Sequence, residues 1–167
     1  MADVGFEGLR LRQVADAVGI DHSTLHHHVA TKRDLVAAVA EYATRQFWST
    51  MPGDADPVAR LHGHLAALRV MFTERSELFT VTAELDLRAR RDPNVRALMD
   101  HFETGWRDSL RDLLERGARS GAWSPEVDVD ATAELVIGVV KGVRLAPATA
   151  GVVFDQLEVL LAATPTH

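Results

Sequence analysis

The sequence contains no cysteine, which excludes disulfide bonds and any chemistry that needs a thiolate. It also has no run of about 18 apolar residues, so no membrane-spanning helix and no membrane partner are expected. No basic leader with an apolar segment opens the chain, and these absences together favour a cytoplasmic protein. No nucleophile–base pair and no glycine-rich phosphate loop is recognisable, so the sequence predicts neither an enzyme nor a cofactor.

A strongly basic composition is also missing, because 18 Lys and Arg face 24 Asp and Glu for a net charge of −6. The acidity lies mainly in residues 51–167, with thirteen basic and eighteen acidic side chains, whereas residues 1–50 hold five and six. Any affinity of the N-terminal part for DNA must therefore come from the local placement of its few cations.

What is present is a 47% apolar share in 167 residues, enough for a sizeable core. Apolar residues recur at three- and four-residue steps and no strand-like alternation between hairpin turns appears, so the fold class is predicted to be all-α. A stretch rich in proline and aspartate, residues 51–57, predicts a boundary between domains 1–50 and 51–167. The predicted helices cover residues 11–18, 22–28, 32–50, 57–73, 77–91, 93–119, 129–146 and 152–163. Thr31, Ser76 and Asp92 are predicted to cap the helices that follow them.

The N-terminal segment reads as two short helices joined at Gly19, a residue that tolerates the left-handed conformation of a helix stop. The first helix carries an apolar face that includes Val14, Ala15 and Val18. Asp21 is predicted to cap the second helix, whose only apolar stripe is Leu25 and Val29. A short helix with polar residues on its remaining faces is suited to present them to a partner, and in a helix-turn-helix unit that partner is the DNA major groove.

Residues 5–35, GFEGLRLRQVADAVGIDHSTLHHHVATKRDL, resemble the DNA-binding domain of the TetR family of bacterial repressors. The positions that match the family pattern are Gly5, Val14, Ala15, Gly19, Thr24, Leu25, His28, Val29, Lys32 and Leu35. The chain departs at His26, where the family usually has tyrosine, and at Leu11, where threonine or serine is common. It also offers only four residues where the family has a full helix before the position of Gly5.

The resemblance implies a transcriptional regulator that binds a palindromic operator in double-stranded DNA as a homodimer and is released by a small-molecule effector. His22, Ser23 and His27 correspond to positions that face base edges. Thr24, His26 and Lys32 correspond to positions that face the DNA backbone. Arg12, near the start of its helix, is predicted to contact a phosphate or a base.

The C-terminal domain is expected to form the dimer interface and an apolar ligand pocket, with the runner-up that these residues complete the core of one protomer. Gly138 and Gly142 lie one helical turn apart and would let a partner helix approach closely. The predicted interface residues are Val136, Gly138, Val139, Gly142, Val143, Leu157, Leu160 and Leu161. The predicted pocket residues, for an effector expected to be apolar, are His64, Leu68, Met71, Phe79, Met99, Phe102 and Trp106.

Two other hypotheses remain open from the sequence. His22 and His26 are four residues apart and could share a metal ion, although no third ligand has a diagnostic spacing, so no metal is predicted. The alternative function is a helical ligand-binding and dimerisation protein whose DNA binding is impaired because the family's first helix is missing.

Overall fold

The computed structural model describes Gly8 and residues 10–48, 50, 56–124 and 126–162, and within these ranges it contains helices and no strand. The helices are α1 (Leu11–Val18), α2 (His22–His28), α3 (Lys32–Trp48), α4 (Pro57–Glu74), α5 (Ser76–Ala89), α6 (Pro93–Arg119), α7 (Val129–Leu145) and α8 (Ala150–Leu160), with a 3-10 turn at Pro147–Thr149. The all-α prediction is confirmed, and each helix begins and ends within a few residues of its predicted bounds. None of the helices in the described ranges combines the length and apolar character that crossing a membrane requires.

Two of the predicted helix caps are observed. Asp92 accepts hydrogen bonds from the backbone N–H groups of Asn94 and Val95, at 3.1 and 3.4 Å. Thr31 and Asp34 satisfy each other's backbone donors, because the Asp34 N–H donates to Thr31 Oγ1 at 3.1 Å and the Thr31 N–H donates to Asp34 Oδ2 at 2.9 Å. This reciprocal pair fixes the start of α3.

The other two predicted caps differ from the structure. Asp21 occupies the N-cap position of α2 with extended backbone, but its side chain accepts no capping hydrogen bond. Ser76 is the first residue inside α5, and Arg75 takes the preceding position, so the predicted boundary was one residue late.

The main core lies between α4, α6, α7 and α8, with Phe79 of α5 reaching into it. Trp123, in the connector between α6 and α7, closes one end of this core. Its indole Nε1 donates to the carbonyl oxygen of Leu161 at 3.0 Å, and its ring lies against Gly117. A Cβ atom at Gly117 would lie 1.8 Å from the Trp123 ring, so this position accepts no side chain.

A second apolar cluster fastens α3 to the C-terminal helices. Val36 and Ala40 of α3 pack against α5 and α6, where the buried partners are Val81, Leu85, Val95 and Met99. The 17 residues of α3 span about 25 Å at 1.5 Å per residue. Since α3 begins directly after the helix-turn-helix segment, one rigid element joins that segment to the C-terminal bundle.

Candidate DNA-binding unit and ligand cavity

The turn between α1 and α2 has the geometry that its glycine predicts. Gly19 has a φ of +72°, and the N–H of Ile20 donates back to the Ala15 carbonyl at 3.1 Å. Ala15 is buried where α1 packs on α2, whereas Val18, expected on the same apolar face, is 61% exposed. The two helices therefore form a compact helix-turn-helix pair.

The polar residues of α2 lie on its outer surface. Leu25 is buried, while Ser23, Thr24, His26 and His27 are exposed. The side chain of His22 lies outside the described part of the structure. A helix anchored by one buried leucine, with hydroxyl and imidazole groups turned outward, can offer several donors and acceptors to a partner surface.

The cations predicted to contact DNA lie on the flanking helices. Arg12 is exposed on α1, and Lys32 is half-buried at the first position of α3, directly after the Thr31–Asp34 capping pair. Among the described side chains, no three histidines or carboxylates gather as metal ligands would.

A narrow cavity opens between α3, α5, α6 and α7. It is lined by Thr44, Phe47, Trp48, Asp86, Met99, Phe102, Glu103, Trp106, Lys141 and Arg144. Its volume is about 40 Å³, room for roughly three water molecules at 10–15 Å³ each. The cavity is therefore aromatic on one side, ionic on the other, and too small for a metabolite unless a wall moves.

Three of the predicted pocket residues, Met99, Phe102 and Trp106, line this cavity, and the other four do not. Leu68 and Phe79 are buried in the main core, where the Phe79 ring stacks on Phe72 with centroids 3.4 Å apart. Met71 packs against the same core. These side chains fill space inside the bundle because their helix faces point at its centre and away from the cavity.

His64 lies behind the cavity wall and joins it to the end of α3. Trp106 Nε1–H donates to His64 Nε2 at 3.0 Å, so that nitrogen is the unprotonated one. His64 Nδ1 then carries the proton and donates to Thr50 Oγ1 at 2.7 Å, and the Thr50 hydroxyl donates to the Phe47 carbonyl at 2.6 Å. Burial lowers the pKa of His64 to about 4, which keeps the imidazole neutral at physiological pH.

The ionic side of the cavity is a network of pairs drawn from three helices. Arg144 Nη1 lies 3.0 Å from Asp86 Oδ2, and Lys141 pairs with Glu103. Arg107 Nη2 also contacts Glu103 Oε1, at 2.9 Å. Burial alone would raise the pKa of Glu103, but hydrogen bonds and the charges of Lys141 and Arg107 outweigh it and lower that pKa. Burial lowers the pKa of the Arg144 guanidinium, and the charge of Asp86 opposes the shift.

Sequence reasoning missed this network and the aromatic residues of α3. Lys141 and Arg144 are three residues apart on α7, so they share a helix face, and two cations on a face turned toward a core are an unusual signal that could have been followed. Trp48, which lines the cavity, was not among the predicted pocket residues either. Its ring lies against Gly105 of α6, where a Cβ atom would be 2.7 Å from Trp48 Cζ2.

The residues predicted for the dimer interface divide into two groups. Val136, Val143, Leu157 and Leu161 are buried in the chain's own core, because they lie on the inner faces of α7 and α8. Gly138, Gly142 and Leu160 are exposed and Val139 is half-buried. The exposed group is continued by large apolar residues that were not predicted, namely Leu135, Leu145, Val152 and Val159.

The helix-turn-helix pair, the joining helix and the cavity-bearing bundle together define a helix-turn-helix protein with a helical C-terminal domain. Two family models match the chain: residues 1–39 match "Bacterial regulatory proteins, tetR family", and residues 57–164 match "BetI-type transcriptional repressor, C-terminal". The chain belongs to the TetR family of bacterial regulatory proteins.

Individual relatives agree with this assignment. The transcriptional repressor AcnR of Corynebacterium diphtheriae is 27% identical over 132 residues, which are 77% of this chain and 65% of the relative, so the chain spans less than two thirds of that protein. A TetR regulator from Haloarcula marismortui superposes with a TM-score of 0.85 at 21% identity, covering 96% of this chain and 89% of the other. AibR in complex with isovaleryl coenzyme A and operator DNA gives a TM-score of 0.72 at 24% identity, covering 96% and 91%. These solved structures show that the fold is shared.

Proposed function

We propose that the protein is a DNA-binding transcriptional repressor that binds a palindromic operator as a homodimer and is released by a small, largely apolar molecule. Residues 1–50 are the DNA-binding domain in this proposal, and residues 51–167 bind the effector and the second subunit. The observation that carries it is the exposed polar surface of α2, which is held on a bundle that contains a separate cavity. The DNA partner implies work in the bacterial cytoplasm, and no step is enzymatic.

DNA recognition falls to α2 and the residues beside it. His22, Ser23 and His27 are proposed to read base edges, while Arg12, Thr24, His26 and Lys32 hold the backbone. Residues 1–50 are close to neutral, so affinity depends on a few local cations and falls as the salt concentration rises. The family match over residues 1–39 disfavours the alternative in which the chain serves only as a ligand-binding protein.

The dimer is proposed to form through the outer faces of α7 and α8. Gly138 and Gly142 lie in the open, and a Cβ atom at either would meet nothing within 4 Å of its own chain. Leu145, Val152 and Val159 are more than two-thirds exposed and extend this surface. An apolar surface of this kind around a pair of glycines suits close packing against the same helices of a second copy.

Coupling is proposed to run through α3. Its last turns carry Thr44, Phe47 and Trp48 at the cavity, and its first turn carries Lys32 at the DNA side. A ligand that enlarges the cavity must displace these residues or α6. Because α3 is one continuous helix, displacing its last turns favours a shift of the whole helix. The Trp106–His64–Thr50 chain ties the end of α3 to the cavity wall, so moving one strains the other. In a dimer, such a shift changes the spacing of the two recognition helices from the ~34–36 Å of one DNA turn.

Fluorescence anisotropy with DNA from upstream of the protein's own gene tests the DNA claim. Binding is expected at low salt, and the affinity should fall as the salt concentration rises. Lys32→Ala should weaken binding to all sequences about equally. His27→Ala should instead reduce the difference in affinity between operator and random DNA. Arg119→Ala, an exposed change at the far end of α6, is the matched control and should leave both affinities unchanged. Absence of binding at low salt to any upstream fragment refutes the proposal.

A further inference from the structure

One buried polar atom at the cavity has no partner. Arg144 has a side chain only 8% exposed, and its Nη1 pairs with Asp86, yet its Nε is buried and makes no hydrogen bond. None of the other residues lining the cavity, all of which are described, has a buried side-chain atom in this condition. A buried unpaired donor costs free energy, so a group that accepts its hydrogen bond is favoured at this place.

The other buried polar groups of the cavity are already engaged. Trp106 Nε1 is bonded to His64, the Thr44 hydroxyl donates to the Ala40 carbonyl at 2.7 Å, and Lys141 is paired with Glu103. The remaining walls are aromatic or aliphatic. The site therefore suits a ligand with one hydrogen-bond acceptor whose other contacts are with apolar surface.

The charges of the site decide what kind of acceptor fits. Arg144, Lys141 and Arg107 supply three positive charges, and Asp86, Glu103 and Glu134, which pairs with Arg107, supply three negative ones, so the set is already neutral. A carboxylate ligand would have to be buried beside two carboxylates without a cation left to pair with it. An ammonium ligand would meet a guanidinium that offers only donors. A neutral acceptor satisfies Arg144 Nε without either penalty.

We infer that the effector is a neutral, compact, apolar molecule with one carbonyl-type oxygen, as in a ketone, ester or amide, which accepts a hydrogen bond from Arg144 Nε. This inference rests on the proposed function only in calling the ligand an effector. The apolar body lies against Phe47, Phe102 and Trp106, which line the cavity. Arg144 also stands over the Phe47 ring, with Cζ 5.0 Å from its centroid, so the donor is held in place beside the apolar surface.

Entry requires one wall to move, and among the aromatic residues that line the cavity the exposed Trp48 is the best placed to do so. Its side chain is 39% exposed, unlike the buried Met99 on the opposite helix. It is the last residue of α3, and its ring lies over Gly105, which presents no side chain to it. A ligand of this class therefore enlarges the cavity by displacing Trp48.

Three probes of matched size test the chemical class: acetophenone, which is a neutral ketone, benzoate, which is an anion, and ethylbenzene, which has no acceptor. Their binding to the full-length protein is measured by tryptophan fluorescence and by isothermal titration calorimetry at pH 7.5. Acetophenone is expected to bind about tenfold more tightly than ethylbenzene, the value of one hydrogen bond to a charged donor. Benzoate is expected to bind more weakly than both. Benzoate binding tightest, equal affinity for ketone and hydrocarbon, or no ketone binding up to millimolar concentration would each overturn the inference.

Two variants test whether the preference for the ketone over the hydrocarbon depends on Arg144 Nε. Arg144→Lys keeps a cation for Asp86, but all its donors sit on the terminal Nζ and none at the position of Nε, so the ketone and the hydrocarbon should bind within about twofold of each other. Phe102→Leu, which removes only apolar contact, should weaken both probes and keep the ketone preference. An Arg144→Lys protein that folds and keeps the full preference refutes the assignment, and the three-probe comparison on the unaltered protein decides the class if that variant does not fold.

These measurements need no DNA, so they separate the two claims. A ketone preference that depends on Arg144 in a protein that binds no operator leaves this inference standing and removes the proposed function. Operator binding without any ketone preference does the reverse.

Discussion

His64 makes the stability of the protein depend on pH in a way that one substitution should remove. The folded protein holds this imidazole neutral with a pKa of about 4, against about 6.5 in the unfolded chain. The unfolded state therefore takes up a proton as the pH falls below 6.5, while the folded state does not. The stability contributed by neutral His64 is complete above pH 6.5 and is lost between about pH 6.5 and 4.

The magnitude follows from the two pKa values. Their difference of about 2.5 corresponds to about 3 kcal/mol once the pH lies below both, and at pH 5 the loss is about 2 kcal/mol. No reduction for solvent screening applies, because the His64 side chain is fully buried. Breaking the Trp106–His64–Thr50 chain on protonation acts in the same direction, since Nε2 can no longer accept from the indole.

The assay is reversible urea unfolding of the wild type and of His64→Gln, followed by circular dichroism at pH 7.5 and 5.0 and at one protein concentration. Glutamine keeps an amide that can accept and donate but does not titrate. Other titrating groups affect both proteins alike, so the wild type should lose about 2 kcal/mol more than the variant between the two pH values. Equal losses would refute the neutral, buried imidazole and the hydrogen-bond chain built on it.

Two glycine substitutions give further expected outcomes. Gly117→Ala should lower the unfolding free energy by about 1–3 kcal/mol in thermal or urea unfolding, because the new methyl group would collide with Trp123. In the matched control, Gly151→Ala, the methyl group meets open space. A loss of unfolding free energy of similar size in that control would contradict the explanation. Gly142→Gln should be a monomer in light scattering, and the unfolding free energy of its subunit should not be reduced, because a Cβ atom there meets nothing within 4 Å of its own chain. The smaller change Gly142→Ala should stay dimeric. If Gly142→Gln forms a dimer of unchanged affinity, α7 does not belong to the proposed interface.

Most of the fold could be predicted because helix periodicity and capping are local properties. Asp92 with Pro93, and Thr31 with Asp34, are signals that lie within four residues of the helix starts they produce. The cap predictions for Asp21 and Ser76 were wrong although they rest on the same local signals. A suitable residue near a helix start does not determine which residue takes the capping position, as at Ser76, or whether its side chain bonds there, as at Asp21.

The sites could be predicted only in part because they depend on which helix faces meet. On α7, one stripe holds Val136 and Val143 and another holds Gly138 and Gly142. Both stripes are apolar in sequence, and only packing shows that the first faces inward. The contact between Trp106 and His64 joins residues 42 positions apart, which no local pattern reports. Phe79 looked like a pocket residue for the same reason, because its stacking partner Phe72 lies on another helix.

The most direct test of the central claim is a hydroxyl-radical footprint of the protein on its upstream DNA. If α2 enters the major groove from each subunit of a two-fold dimer, protection should appear as two symmetric half-sites whose centres lie about one helical turn, or a multiple of it, apart. The same footprint should disappear with Lys32→Ala at moderate salt and persist with Arg119→Ala. Protection that is uniform along the fragment, or none at a protein concentration that saturates binding, would contradict the account.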